Sequence, residues 1–319
     1  MPRNEAQQTL IIGHDGSAGA THALVVGLAL ADRLGASVEI VRAFAIADSP
    51  ATVTEMLGYP AAVDEMATAV RDQLIGDTSE FVTAHPALTA QYLVRAGRPA
   101  DVLCALSSAE RILVVGSRGR GGFTGLLLGS VSNECLHRAE GPVLVVPEAG
   151  RRQVSAPPAR PGDPADLAPI VTAETIVVGH DGSPQSDHAL ARALELAQGL
   201  EAPVVVLRSW TIDTAPKGSV WDQGYVASFR EISATVTREL EQGIRPLLDE
   251  YQAVSVTYHG VFGGPEEVLL RSSSTARMLV LGSRGRGGFE GLVLGSVSTK
   301  CADRANCPVL VVPSRAKTD

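Results

Sequence analysis

Residues 9–17 read TLIIGHDGS and residues 175–183 read TIVVGHDGS, so one nonapeptide returns 166 positions later with only aliphatic exchanges. The same offset pairs His22 with His188, Tyr59 with Tyr225, Gly97 with Gly263, and GPVLVVP (141–147) with CPVLVVP (307–313). No net insertion separates these landmarks. A period this long lies far beyond the roughly 20 to 50 residues of solenoid repeats, so the chain must fold as two copies of a whole domain. The expected division is a first domain over 1–148, a linker over 149–173 and a second domain over 174–319. The stretch EAGRRQVSAPPARPGDPADLAP between the copies is rich in Pro, Ala and charge, as linkers are.

Each copy alternates strand-like and helix-like segments. The apolar run 9–14 ends at DGS, where Ser17 is placed to cap a helix whose apolar positions recur through Leu34. In the second copy Ser183 is the cap and Pro184 suits the first helical turn. Strand-like SVEIVRAF (37–44) follows, then a helix near 62–84, strand-like TAQYLVR (89–95), a helix over 99–108, RILVVG (111–116), a helix over about 130–139 and a closing PVLVV. Continuously apolar strands alternating with helices predict an α/β fold with a parallel sheet covered on both faces.

The run GSRGRGGFTGLLLGS (116–130) returns as GSRGRGGFEGLVLGS from Gly282, and from Gly116 to Ser132 the copies differ only at Thr124/Glu290 and Leu127/Val293. Its spacing is G-x2-G-x9-G-S. That is neither the lysine-bearing phosphate loop nor the dinucleotide fingerprint. Glycines permit positive φ or close approach of the backbone to a ligand, and free amides at a helix start favour an anion, so phosphate is the expected guest. Arg118, Arg120, Arg284 and Arg286 are either phosphate-facing or solvated loop charges.

G-x2-G-x9-G-S followed by Val-Ser, an Asp after the first strand and a closing PVLVVP resemble the universal stress protein family, ATP-binding subclass, in tandem form. The resemblance covers both copies nearly end to end. It implies two open five-stranded parallel sheets of order 3-2-1-4-5, Rossmann-like and akin to the adenine nucleotide alpha hydrolases, with a crevice between strands 1 and 4. It also implies that Asp15 and Asp181 meet the ribose side of a nucleotide, and that Ala43 and Ser209 border adenine. Gly116, Gly119, Gly129, Ser130 and Val131 match phosphate-binding positions, as do Gly282, Gly285, Gly295, Ser296 and Val297, with Arg118 and Arg284 beside them. The implied cofactor is ATP, with or without Mg2+, one per domain.

His14 and His180 precede the aspartates, but no third ligand stands at a supporting spacing, so no metal site is expected. His22 and His188 read as packing or surface positions of the first helix. Tyr59 and Tyr225 read as loop residues that either cover a nucleotide or pack beneath the loop. No catalytic constellation stands out. Three functions stay open: a nucleotide-dependent regulator in the stress response, a slow Mg-dependent ATPase or phosphotransferase, and an interaction module with vestigial pockets. The four cysteines form no CxxC pair and are expected to be reduced thiols. A net charge of −8 without a basic run argues against nucleic acid. Apolar runs such as 24–31 are too short to span a membrane, and the chain is expected to be soluble and cytoplasmic. The apolar closing strands at the implied sheet edge predict an intramolecular pseudo-dimer of the copies, with a homodimer as a further expected assembly.

Overall fold

The computed structural model describes residues 8–44, 60–119, 128–150, 171–216, 228–286 and 293–314. The chain divides into two compact units, Met1–Gly150 and Arg151–Asp319. Residues 151–170 of the expected linker lie outside the described residues, as do Tyr59, Tyr225, Arg120 and the middle of both glycine loops.

In the first unit, β1 (Thr9–Gly13) runs parallel to β2 (Ser37–Phe44) on one side and to β4 (Arg111–Gly116) on the other, with Ile11 beside Glu39 and Leu113. Strand β3 (Ala90–Ala96) flanks β2, and β5 (Val143–Val146) flanks β4, which gives the order β3-β2-β1-β4-β5. The side chains of Leu10, Ile11 and Ile12, and of Ile112, Leu113 and Val114, are fully buried on both faces of the sheet. That is why these strands read as unbroken apolar runs. Helix α1 (Ala18–Leu34) packs beside α2 (Pro60–Thr83), while α3 (Pro99–Leu106) packs beside α4 (Ser130–Arg138), so two helical layers cover the sheet.

The second unit repeats this plan. Strand β6 (Ile176–Gly179) lies between β7 (Val204–Trp210) and β9 (Met278–Gly282), with β8 (Val256–Phe262) and β10 (Val309–Val312) outside them, in the order β8-β7-β6-β9-β10. The helices are α5 (Pro184–Leu200), α6 (Phe229–Leu248), α7 (Pro265–Ser272) and α8 (Ser296–Arg304), and a 3-10 turn covers Ile212–Thr214. The expected α/β class and the 3-2-1-4-5 order are thus present in both units. Helix α3 ends two residues short of the expected 99–108, because Ser107 leaves helical geometry and its N–H donates to Cys104 O.

Local chemistry explains how α1 and α5 begin and end. The side chain of Ser17 accepts from Ala20 N at 3.2 Å, and that of Ser183 accepts from Ser186 N at 3.3 Å, satisfying one of the free amides at each helix start. Both helices stop on a left-handed residue: Gly35 at φ 62° in the first unit and Glu201 at φ 50° in the second. Glycine adopts this conformation freely, whereas a side chain there costs roughly 1 kcal/mol or more. Glu201→Gly is therefore expected to stabilise the second unit by about 0.5–1 kcal/mol, the larger entropy of an unfolded glycine offsetting part of the gain. Urea denaturation checks this; an unchanged or lower midpoint would mean that Glu201 makes a compensating contact.

Candidate functional site

The site forms where β1 and β4 end and their following segments turn to opposite helical layers. Asp15 leaves β1 and accepts from Ser17 N through Oδ1 at 2.9 Å. Its counterpart Asp181 accepts at Oδ1 from Ser183 N (3.0 Å) and Ser183 Oγ (2.6 Å), and at Oδ2 from Arg286 N (2.6 Å). The carboxylate thus joins the start of α5 to the glycine loop. Burial pushes the Asp181 carboxyl up, but the hydrogen bonds from Ser183 and Arg286 outweigh it and hold the acid below its ordinary value. It is an anion at the wall of the cavity.

The glycines serve close approach and not positive φ, which corrects one of the two roles expected for them. Among the described glycines the positive φ values fall at Gly16, Gly35, Gly97, Gly150, Gly182 and Gly263, none of them a spaced glycine of the loop. A Cβ at Gly116 would lie 2.7 Å from Gly19 O, and one at Gly282 would lie 2.9 Å from Gln185 O, so the end of β4 or β9 is pressed against the first turn of α1 or α5. At Gly119 a Cβ would lie 2.5 Å from Asp15 Oδ2, and at Gly285 it would collide with Asp181 Oδ2. Only hydrogen fits between loop and carboxylate.

Gly129 and Gly295 are the N-cap residues of α4 and α8, with extended backbone (φ −72° and −81°) and no side-chain cap. Their N–H groups donate to Ser117 O and Ser283 O, both at 2.6 Å. Ser132 Oγ and Ser298 Oγ donate to Gly116 O and Gly282 O, again at 2.6 Å. Each helix start is thereby latched to the end of its strand. The amides of Ser130, Val131 and Ser132, and of Ser296, Val297 and Ser298, occupy the first helical turn, where no carbonyl of the same helix is within reach.

These features surround one cavity per unit. In the first, of about 410 Å³, Asp15, Ala43, Gly116, Arg118, Gly119, Gly129, Ser130 and Val131 all reach the wall, with Val41, Leu103 and Val115 supplying an apolar side. In the second, of about 1140 Å³, Asp181, Ser209, Gly282, Arg284, Gly285, Gly295, Ser296 and Val297 do the same. Every proposed site residue is therefore brought to the wall of its own unit's cavity. Arg118 and Arg284 are tied outward, Arg118 Nη1 to Glu148 Oε2 at 3.4 Å and Arg284 Nη2 to Ser314 Oγ at 2.6 Å, while the Nε of each is buried without a hydrogen-bond partner. Arg286 N belongs to the loop's contact with Asp181, and Arg120 lies outside the described residues.

Sequence reasoning missed a His–Arg pair behind each aspartate, buried in the first unit and part-buried in the second. Arg42 Nη2 donates to His14 Nδ1 at 2.8 Å and its Nε to His14 O at 3.0 Å. Arg208 Nη2 meets His180 Nδ1 at 3.1 Å, and Gly182 N donates to the same nitrogen at 3.2 Å. Arginine carries no acceptor, so each Nδ1 accepts and the neutral ring bears its proton on Nε2. That proton faces Thr21 Oγ1 (3.3 Å) in the first unit and Asp187 Oδ1 (2.9 Å) in the second. With both ring nitrogens engaged these histidines position the turn, and among the described residues no group of three or more His, Cys, Asp or Glu could hold a metal. The available signal was an arginine interrupting an apolar strand in both copies, in VEIVRAF and VVVLRSW.

Residues 7–147 and 172–313 each match the universal stress protein family. The chain belongs to this family, with two of its domains in tandem. It is 34% identical over 230 residues to a universal stress protein of Mycolicibacterium smegmatis, covering 72% of this chain and 70% of the relative. It is also 34% identical over 215 residues to universal stress protein Rv1996 of Mycobacterium tuberculosis, covering 67% of this chain and 62% of that one. A universal stress protein from Archaeoglobus fulgidus shares the fold over 98% of this chain and 100% of its own, with a TM-score of 0.66 and 20% identity. Among the described residues no helix is long and apolar enough to cross a membrane.

Burial pushes the imidazoles of His180 and His259 below their ordinary value of 6.5, the effect of Asp187 on His180 being smaller than that of burial. His259 Nε2 is buried without a partner, and Leu93 holds the corresponding position in the first unit. Below pH about 6.5 the unfolded chain binds protons that these native imidazoles resist, so stability falls with falling pH. His259→Leu is expected to flatten this dependence between about pH 5 and 7 and to raise the melting temperature of the second unit most at the acid end. Melting curves across that range check both; an unaltered slope would assign the dependence elsewhere.

Proposed function

We propose that the chain is an ATP-binding regulator of the stress response, with one adenine-nucleotide site in each unit. The observation that supports this most is the convergence, twice over, of an uncapped helix start, a glycine-pressed backbone and a strand-end aspartate around one cavity with an apolar side. The amides of Ser130 to Ser132 and Ser296 to Ser298 and the positive helix ends suit phosphate. The carboxylates of Asp15 and Asp181 suit ribose hydroxyl donors. The clefts beside Ala43 and Ser209 take a flat apolar base. Mg2+ accompanies the phosphates in this reading, and the response to nucleotide occupancy is a change in surface or partner affinity instead of turnover.

Calorimetry should then show two ATP molecules per chain. Gly129→Asp and Gly295→Asp should each remove one, and the pair should remove both, with circular dichroism near wild type. An N-cap aspartate satisfies the free amides and complements the helix end by roughly 0.3 to 1 kcal/mol, so the variants stay folded while a carboxylate takes the phosphate's place. Because both glycines have negative φ and a Cβ would meet its nearest atom at 3.3 and 3.4 Å, the matching alanine pair should bind within a few-fold of wild type. Full ATP affinity in the folded double aspartate variant would overturn the assignment.

A further inference from the structure

The charges around one strand arginine differ between the units: Asp77 is replaced by Gly243, whereas Thr21 and Gln73 are replaced by Asp187 and Glu239. In the first unit Arg42 is 7% exposed, and its Nη2 forms an ion pair with Asp77 Oδ2 on α2 at 2.7 Å. The position equivalent to Asp77 is Gly243, on α6. The helices are in the same register, since buried Leu74 and Thr78 correspond to buried Leu240 and Ile244. The equivalent arginine, Arg208, accordingly forms no ion pair among the described residues. It lines the cavity of its unit, whereas Arg42 does not line the other.

Arg208 is not alone there. A Cβ placed on Gly182 would lie 2.6 Å from Arg286 Nη2 and 3.0 Å from Arg208 Nη2, so the two guanidinium groups converge on one point of the turn between β6 and α5. Among the described residues the Arg286 side chain donates only to Gly182 O, at 3.4 Å. Burial and the nearby Arg286 both push the Arg208 guanidinium below its ordinary value, Asp181, Glu239 and Asp187 acting the other way. Of these carboxylates, Asp181 holds the glycine loop and Asp187 holds His180. Glu239 lines the cavity and forms no ion pair among the described residues. Among the described residues none of these carboxylates is ion-paired with either guanidinium, and a phosphoryl group bridging the two cations relieves their mutual repulsion through charge-assisted hydrogen bonds.

We propose that Arg208 and Arg286 form an anion-binding fork in the second unit, so that its site takes a ligand carrying at least one phosphoryl group more than the first site selects for. This rests on the nucleotide reading for the identity of the ligand, but the fork itself is a property of the arginines. The first site discriminates weakly by phosphate number because Asp77 neutralises Arg42. The second favours a nucleoside triphosphate over a monophosphate.

The test uses the full chain, titrated by calorimetry with ATP, AMP and inorganic tripolyphosphate. Two ATP affinities are expected, one of them with an ATP-to-AMP preference about tenfold larger than the other, the size of one charge-assisted hydrogen bond. Gly243→Asp introduces the first unit's carboxylate at a position where a Cβ meets nothing within 4 Å, so the fold tolerates it. It should erase the excess preference and weaken tripolyphosphate binding about tenfold. Gly243→Asn, equal in shape and uncharged, should do neither, and Glu239→Gln should strengthen tripolyphosphate binding. Arg208→Gln should match Gly243→Asp. If tripolyphosphate and ATP affinities are the same in wild type, folded Gly243→Asp and folded Arg208→Gln, the fork is wrong. If no nucleotide binds, yet tripolyphosphate binds and is weakened by Gly243→Asp, the fork stands and the nucleotide reading falls.

Discussion

Each unit depends on one constraint: its first strand is flanked by parallel neighbours on both sides, and the helices that follow pack in two different layers. Strand β1 lies between β2 and β4, and β6 lies between β7 and β9. Helix α1 packs in the layer of α2, whereas α3 and α4 pack together in the other. The backbone leaving β1 and the backbone leaving β4 therefore part company at their carboxyl ends. A crevice results that no side chain had to be chosen to create.

Closing the crevice to a useful width is the work of hydrogen in place of methyl groups. The loop after β4 touches the first turn of α1 at Gly116 and Gly19, and touches the aspartate at Gly119, at separations that no Cβ tolerates. The same compression brings Gly129 N onto Ser117 O and Ser132 Oγ onto Gly116 O, which holds the start of α4 over the end of β4. A helix start held so rigidly and left without a capping side chain presents its amides at little further entropic cost to a ligand.

Duplication kept this machinery and altered its electrostatic surroundings. Thr21 and Asp187 occupy equivalent positions and face the same imidazole nitrogen, one neutral and one charged. Asp77 and Gly243 occupy equivalent positions on α2 and α6, and only the first satisfies its arginine. Burial makes such exchanges consequential, because a cation in a partly desolvated site retains a strong field unless an anion stands beside it. Two cavities built by one backbone plan thus differ in the charges set around them.

The sequence alone determined the two-copy plan, the strands and helices, the parallel class and the glycine loop with its helix start, since each rests on local periodicity, capping or spacing within a few residues. Ser17 before α1 and Ser183-Pro184 before α5 are examples, because a cap acts on amides only three positions away. Arg42 and Arg208 were legible as charges inside apolar strands but not as partners of His14 and His180, 28 residues earlier. The same holds for Asp77, which meets Arg42 from another element 35 residues on. The conformation of the loop glycines was also beyond local reading: composition admits positive φ and close approach equally, and only the position of Asp15 and of the α1 backbone selects the second. Tertiary structure decided these points because a long-range charge pair exists only once the sheet and its helices have brought the two side chains into one low-dielectric space.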